Sequence, residues 1–372
     1  EQSLLNQSSE NISKRFDRLE EKNRITTEQA EKCKSRISTT TSMSDLSDCD
    51  LIIEAIVEDL DIKTKVIKEM SKIATGAIIA TNTSSLSVTE LGNACGCPDR
   101  VVGMHFFNPA PLMPLVEVIE GKQSSKAAVE RAMLIAEAWG KTVVKVADTP
   151  GFIVNRVARP YYLEAWRIVE DRFATVDAID QAMQKLGEFK MGPFILTDLI
   201  GQDINVATTR SVWERLGKPS RLSPSQLQES LVTNGKLGKK TNCGAYAHDG
   251  DTNVPAIVME IQELNLTDQL ADSINAFCLE ATCIEGSMLE KYIFSRILVG
   301  IINEAMWAER DGVATAKDID TALRLGTNYP KGPFEWSKQI GLGHVQKLLI
   351  ALNETVSDNR FATPPFDPVS ST

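Results

Sequence analysis

The chain reads as an α/β domain built on a doubly wound sheet, followed by two duplicated all-α domains. Up to about Asp148, short β-branched runs alternate with amphipathic helical stretches. Beyond Pro150 the strand signals vanish, and the helical part repeats itself at a constant offset of 140 residues. Alternation is the pattern of a sheet whose crossovers are helices, and a repeat held in register over dozens of residues marks duplication.

The elements follow in order. The N-terminal stretch is helical in pattern, with Leu5, Ile12, Phe16 and Leu19 forming an apolar stripe. Residues 51–57 predict the first strand, 63–73 a helix, 77–80 a strand, and 88–94 a helix that Ser87 and Glu90 open as a capping box. Strands beginning at Val101, Leu115 and Thr142 complete the sheet. Ligands of such sheets bind beyond the carboxyl ends of the strands. Three of those ends carry polar residues that packing alone would not select: Glu58 and Lys63, then Asn82 and Ser84, then His105 and Asn108. Singly each is ordinary loop chemistry; together they mark one rim.

The most informative stretch runs from Gly103 to Val118. An apolar run delivers His105 into a proline-broken loop, and a second run carries Glu117 back, so the two side chains can meet across a strand pair. A carboxylate on one imidazole nitrogen sets the tautomer and stabilises the imidazolium formed when the other nitrogen takes a proton. The plain alternative is a histidine satisfied by its own loop and a glutamate facing water.

In the helical part, residues 152–201 align without gaps on 292–341. Arg156 matches Arg296, Glu164 matches Glu304, Asp180 matches Asp320, and Gly192-Pro193-Phe194 matches Gly332-Pro333-Phe334. Asn155 faces Ser295, so only the first copy keeps a carboxamide just after the sheet. Duplicated helical units pack against each other, burying face on face. Between the copies, residues 235–241 form a basic, glycine-punctuated loop, by default a solvated turn and alternatively an arm reaching the rim. The tail from Phe361 through Pro368 reads as extended and proline-fixed.

The bulk numbers exclude several classes. With 372 residues, 42% hydrophobic and 24% charged, the composition is that of a globular protein. A formal charge of -10 without clustered Lys and Arg argues against nucleic acid. Seven cysteines without CxxC spacing point to a reduced, cytoplasmic compartment and no metal site. No apolar run approaches the roughly 18 residues of a membrane span.

Four segments in order carry a resemblance: residues 80–86 (ATNTSSL), 105–109 (HFFNP), 115–118 (LVEV) and 148–156 (DTPGFIVNR). Together they resemble the L-3-hydroxyacyl-CoA dehydrogenases, most closely the long bacterial members with two C-terminal helical copies. The resemblance implies a Rossmann-like domain over 1–148 and helical domains over 149–248 and 249–372. It also implies NAD as cofactor, a 3-hydroxyacyl-CoA as substrate, no membrane partner, and a pseudo-dimer of helical repeats to which a homodimer is a further expectation. Family members begin with a strand and a GxGxxG turn. No such motif precedes the first strand here, so the resemblance implies that the first strand, turn, helix and second strand are missing from this chain.

Carried over by position, the resemblance implies that His105 is the base and Glu117 its orienting carboxylate, and that Asn155 and Ser84 position the substrate's hydroxyl and thioester. Glu58, Lys63, Ser84, Asn108 and Lys240 match positions lining the nicotinamide cofactor. The loop after Lys240 departs from the family pattern, reading Thr241-Asn242-Cys243-Gly244-Ala245-Tyr246. The segment 108–115 resembles enzymes acting on 3-hydroxyadipyl-CoA in phenylacetate breakdown or on 3-hydroxybutyryl-CoA in fatty-acid metabolism. Two rivals stand beside this reading: a non-catalytic acyl-CoA-binding or crystallin-like protein on the same scaffold, and a hydroxyacid dehydrogenase using a lysine base.

Overall fold

The computed structural model describes residues 2–250 and 252–365. It opens with a helical hairpin, α1 (Gln2–Glu21) and α2 (Thr27–Lys34). Thr26 and Gln29 form a reciprocal capping box at the start of α2, and Lys34 bridges Asp17 at 2.8 Å and Glu31 at 3.0 Å. The stripe of Leu5, Ile12, Phe16 and Leu19 is only half-buried, and no residue of α1 is fully covered.

The sheet follows: β1 (Leu51–Glu54), α3 (Leu60–Ile73), β2 (Ile78–Thr81), α4 (Val88–Cys95), β3 (Val101–Phe106), β4 (Leu115–Glu120), α5 (Lys126–Ala138) and β5 (Thr142–Ala147). The five strands lie in chain order, parallel except for the antiparallel pair β3–β4. β1 is shorter than expected, because the Glu54 carboxylate accepts the Ile56 N–H at 2.6 Å and turns the chain out of the sheet. α3 begins earlier than expected because Asp59 caps it, accepting from Ile62 N. At α4 the reciprocal half of the expected box is not made. Ser87 accepts from Glu90 N, while Asp148 takes the Ser87 hydroxyl and the Val88 and Thr89 N–H groups from across the domain.

Side-chain alternation gives the sheet two covered faces. Ile78, Ala80, Val102, Met104, Val116 and Val118 pack under α5. The opposite face, with Ile52, Ile79, Val101, Leu115, Ile119, Val144 and Val146, merges with α3, α4 and the helical part into one core. His105 and Glu117 belong by alternation to that second face, so they point at the helices that follow.

Those helices are α6 (Val154–Val157), α7 (Arg159–Glu170), α8 (Val176–Gly187), α9 (Pro193–Ile200), α10 (Gln202–Arg215) and α11 (Gln226–Thr233). A hairpin, β6 (Tyr246–Asp249) and β7 (Thr252–Pro255), precedes α12 (Asp268–Ala281), α13 (Met288–Arg310), α14 (Ala316–Thr327), α15 (Pro333–Ile340) and α16 (Leu342–Asn353). The hairpin corrects the expectation that strands end at Pro150, and the expected boundary at 248/249 falls inside it. Its signal is short, and it is fixed by tertiary bonds: Asp198 accepts from Ala245 N and Tyr246 N, and the Tyr246 hydroxyl reaches Asp180 at 2.9 Å.

At the 140-residue offset α8 matches α14 and α9 matches α15 in both bounds, and α10 and α16 match at their starts. Asp180 accepts from Phe194 N and Ile195 N at the start of α9; Asp320 accepts from Phe334 N and Glu335 N at the start of α15. Glycine precedes the proline in both because a Cβ at Gly192 or Gly332 would overlap the aspartate. Burial pushes the Asp180 carboxyl up to about 7 and that of Asp320 to about 6. Between the stretches, α13 packs on α6 and α7, and reciprocal ion pairs cross the contact. Arg156 binds Glu304 at 2.7 Å and Asp311 at 2.6 Å, while Arg296 binds Glu164 and Asp171, both at 2.9 Å. In the tail, Phe361 is buried and the Ala362 carbonyl accepts from Asn303 and Trp307; the expected extended residues 366–368 lie outside the described residues.

Candidate active site

His105 and Glu117 are direct partners in the β3–β4 register, and His105 Nδ1 lies 2.6 Å from Glu117 Oε2. The carboxylate is fully buried and the imidazole nearly so. Glu117 Oε1 accepts two consecutive backbone N–H groups, from Ile153 at 3.1 Å and Val154 at 3.0 Å. Those donors point at it because Gly151 and Phe152 both take positive φ, +81° and +50°, before α6 starts. A bulky residue there is uncommon and costs on the order of 1–3 kcal/mol, which the surrounding packing must hold. Phe107 and Phe152 flank the imidazole at centroid distances of 4.7 and 5.7 Å. With both carboxylate oxygens committed, the proton belongs on Nδ1, and Nε2 is left as the acceptor.

Around this pair the strand ends converge. Glu58 Oε1 accepts from the Thr83 hydroxyl at 2.5 Å, from Ser84 N at 2.9 Å, and from Ser85 N and Oγ. Against partial burial, these bonds and the Lys63 charge hold the Glu58 carboxyl below its ordinary range. Ser84 is half-buried, and its hydroxyl makes no hydrogen bond among the described residues. Asn82 accepts from Phe106 N at 2.9 Å, tying the second strand end to the third, and Asn108 stands exposed beyond it. Asn155 is the one half-exposed residue in the buried run 151–158.

Two expected cofactor contacts sit differently. Lys63 is buried rather than presented at the rim: its ammonium binds Glu54 at 2.7 Å, Glu58 at 3.3 Å and the Ile56 carbonyl. Glu54, also buried and bonded to Thr81 at 2.7 Å, was missed by the sequence reading. Lys240 is not brought to the rim. It is bidentate on Asp203 at 2.6 and 2.7 Å, near the start of α10, whereas Arg215 near the other end of α10 bonds the Ser85 carbonyl. Twelve helical residues separate those anchors, roughly 18 Å. The basic loop is therefore a turn packed against Asp198.

The comparisons with known proteins decide the family. The NAD-binding domain of 3-hydroxyacyl-CoA dehydrogenase matches residues 1–149, and the C-terminal domain of the same enzyme matches residues 151–248 and 292–369. The chain belongs to the 3-hydroxyacyl-CoA dehydrogenase family. Relatives include a 3-hydroxyadipyl-CoA dehydrogenase of Escherichia coli, 34% identical over 91% of this chain and 84% of that protein. A 3-hydroxybutyryl-CoA dehydrogenase of Clostridioides difficile is 41% identical over 58% of this chain and 76% of its own length. Among solved structures, a 3-hydroxybutyryl-CoA dehydrogenase from Escherichia coli superposes with a TM-score of 0.85 at 32% identity, covering 98% of this chain and 90% of the other.

For this family member, NAD-dependent oxidation of a 3-hydroxyacyl-CoA is the activity to be explained. The residues present fit the nicotinamide end of the cofactor. Glu58, Ser84 and Asn108 line the carboxyl ends of parallel strands beside an imidazole whose Nε2 is unclaimed. Among the described residues no helix is long and apolar enough to cross a membrane, and no cluster of three or more His, Cys, Asp or Glu is arranged to hold a metal ion.

Proposed function

We propose that this chain oxidises the 3-hydroxyl of an L-3-hydroxyacyl-CoA through His105, with Glu117 positioning the imidazole. The 2.6 Å contact between His105 and a carboxylate whose other oxygen is held by two backbone donors carries the reading. Nε2 takes the hydroxyl proton, and the imidazolium so formed is stabilised by the buried Glu117 charge. Bound NAD supplies the hydride acceptor at its nicotinamide ring. Glu58, Ser84 and Asn108 would hold that ring and its ribose, while Asn155 and the Ser84 hydroxyl orient the substrate's hydroxyl and thioester. Lys63 supports this rim from beneath by holding Glu58 in place.

Three units divide the labour: residues 1–148 for the cofactor, 149–248 for the substrate, and 249–372 as a duplicated helical copy. The copies form an intramolecular pseudo-dimer. Its support is the exchange of partners at matched positions, Arg156 with Glu304 and Asp311 against Arg296 with Glu164 and Asp171, which is the pattern of an isologous interface. Free cysteines throughout accord with a reducing setting such as the cytoplasm.

The test is NAD reduction with 3-hydroxybutyryl-CoA by the full chain and its His105→Gln variant. Removing the base should lower kcat by about 10²–10⁴ while leaving ester affinity within a few-fold. A variant that keeps the parent kcat would refute the assignment.

A further inference from the structure

Four arginines are buried in the helical part, and three of them have carboxylate partners. Arg156 has Glu304 and Asp311, Arg167 has Glu164, and Arg296 has Glu164 and Asp171. Arg159, 4% exposed, has none among the described residues. Only its Nη1 finds partners, the Asn205 carbonyl at 3.4 Å and the Thr209 hydroxyl at 3.3 Å, both long for a charged donor. Its Nε is buried without any partner, as is the nearby Tyr329 hydroxyl. The guanidinium also lies over the Tyr162 ring at 4.9 Å, and burial pulls its pKa below the ordinary arginine value. A buried cation left this way lacks a counter-ion.

The second helical copy shows what the scaffold requires at these positions. At the 140-residue offset Arg159 becomes Val299, Tyr162 becomes Ile302, Asn205 becomes Val345 and Thr209 becomes Leu349, all buried. The fold thus accepts a wholly apolar cluster here. The first copy has a polar one instead, and it begins where the site ends: Arg159 opens α7 four residues after Asn155 in α6, across the single turn residue Ala158. The guanidinium lies between the Tyr162 ring and the Asn205 and Thr209 oxygens of α10, with the Tyr329 hydroxyl nearby. Residues of α14 close the far side, since a Cβ at Gly326 would touch Leu115, Val154 and Phe107.

We infer that Arg159 is the seat of a carboxylate at the far end of the acyl chain, making this a dehydrogenase for carboxyl-terminated 3-hydroxyacyl-CoA esters. The inference rests on the dehydrogenase reading above. With the 3-hydroxyl at His105 and the chain running past Asn155, a carboxylate three carbons beyond the reacting one would be directed toward Arg159 at the start of α7. It supplies the missing counter-ion, accepts from Nε, and accepts from the Tyr329 hydroxyl. A methyl-terminated chain of the same length leaves all three unmet, the arrangement by which a polar site rejects an apolar analogue.

The experiment compares 3-hydroxyadipyl-CoA with 3-hydroxyhexanoyl-CoA on the full chain, by calorimetric binding and by NAD reduction. The parent should favour the adipyl ester by about 10² or more in kcat/KM. Arg159→Met should lower affinity and kcat/KM for the adipyl ester by roughly 10²–10³ and leave the hexanoyl ester within about threefold, since only the former loses a desolvated charge partner. Arg159→Lys should fall between. The unchanged hexanoyl values report that the variant is folded. A parent that does not discriminate, or an Arg159→Met variant that loses both esters alike, would overturn the inference. Absence of NAD reduction with either ester, while adipyl-CoA selectivity persists in binding, would instead strike at the dehydrogenase reading.

Discussion

Replacing Glu117 with glutamine tests the site at the atom where its chemistry is set. The side chain is isosteric, so the fully buried pocket does not have to repack. Its amide, however, has one acceptor and one donor where the carboxylate has two acceptors. If the oxygen faces His105, the NH2 group faces the N–H donors of Ile153 and Val154, which lie 3.1 and 3.0 Å from Oε1 in the parent. Two buried donors left unmet cost about 1–3 kcal/mol each. The opposite orientation meets both donors and points an N–H at His105 Nδ1, where the parent carboxylate sits at 2.6 Å. That orientation wins by about 2–6 kcal/mol on the same accounting. It moves the ring proton to Nε2, the nitrogen that must receive the substrate's proton. A histidine in the wrong tautomer loses general-base catalysis, worth about 10²–10⁴ in rate. The expected result is a kcat reduced by that factor with ester affinity changed by less than threefold. NAD reduction and calorimetry measure both quantities. With only three histidines in the chain, NMR of isotope-labelled imidazole nitrogens reads the tautomer directly. A kcat within threefold of the parent, or a His105 that keeps its proton on Nδ1, would refute the reasoning.

The remaining predictions concern the helical part. Coulombic attraction from Arg167, Arg296 and Arg360 outweighs burial and holds the Glu164 carboxyl at about 2, below its ordinary 4.5. Its folded pKa is depressed, so its contribution is present above pH 4.5 and is lost as pH falls toward 2. The shift corresponds to about 3 kcal/mol. Glu164→Gln should therefore lower stability by about that amount at pH 7 in denaturant titration, with the gap from the parent closing as pH approaches 2; a gap independent of pH contradicts the assignment. Gly192→Ala and Gly332→Ala should each destabilise by about 2–4 kcal/mol, because the new Cβ meets the side chain that caps the next helix. Melting temperatures unchanged in both variants would show that Asp180 and Asp320 can move aside. Asp180→Asn should flatten the stability profile of the parent between about pH 4 and pH 7. The Asp180 carboxyl is raised to about 7 by burial, so its protonated form favours the fold below pH 4 and that advantage disappears as pH rises through 7. An equally steep slope in the variant would exclude Asp180 as its source.

Much of the site was legible because it follows local rules. A strand has period two, so residues 101–106 and 115–120 had to place His105 and Glu117 on one face once their register paired them. The rim was legible because strand ends in α/β sheets collect ligands, and Glu58 does meet the 83–85 loop there. The misplaced residues are those whose partner is remote in sequence. Lys240 matched a motif, but Asp203, thirty-seven residues earlier, decides where its ammonium rests. Lys63 looked like a rim residue because nothing in a strand pattern announces that Glu54 turns inward to bind it. The β6–β7 hairpin was missed for the same reason: Asp180 and Asp198, far upstream, hold it.

Hydrophobic periodicity and a repeat at fixed spacing are properties of one chain segment at a time, so the sequence by itself determined the α/β-then-helical order, the matched helical copies, and the identity of the histidine–glutamate pair. What only the tertiary structure decided is how charge is compensated. Paired carboxylates and arginines can satisfy one another in many combinations, and burial selects among them because an unpaired charge in the interior costs several kcal/mol. That selection crosses Arg156 to Glu304 and Arg296 to Glu164 and holds Lys240 away from the rim; Arg159 is the exception, with no carboxylate partner among the described residues.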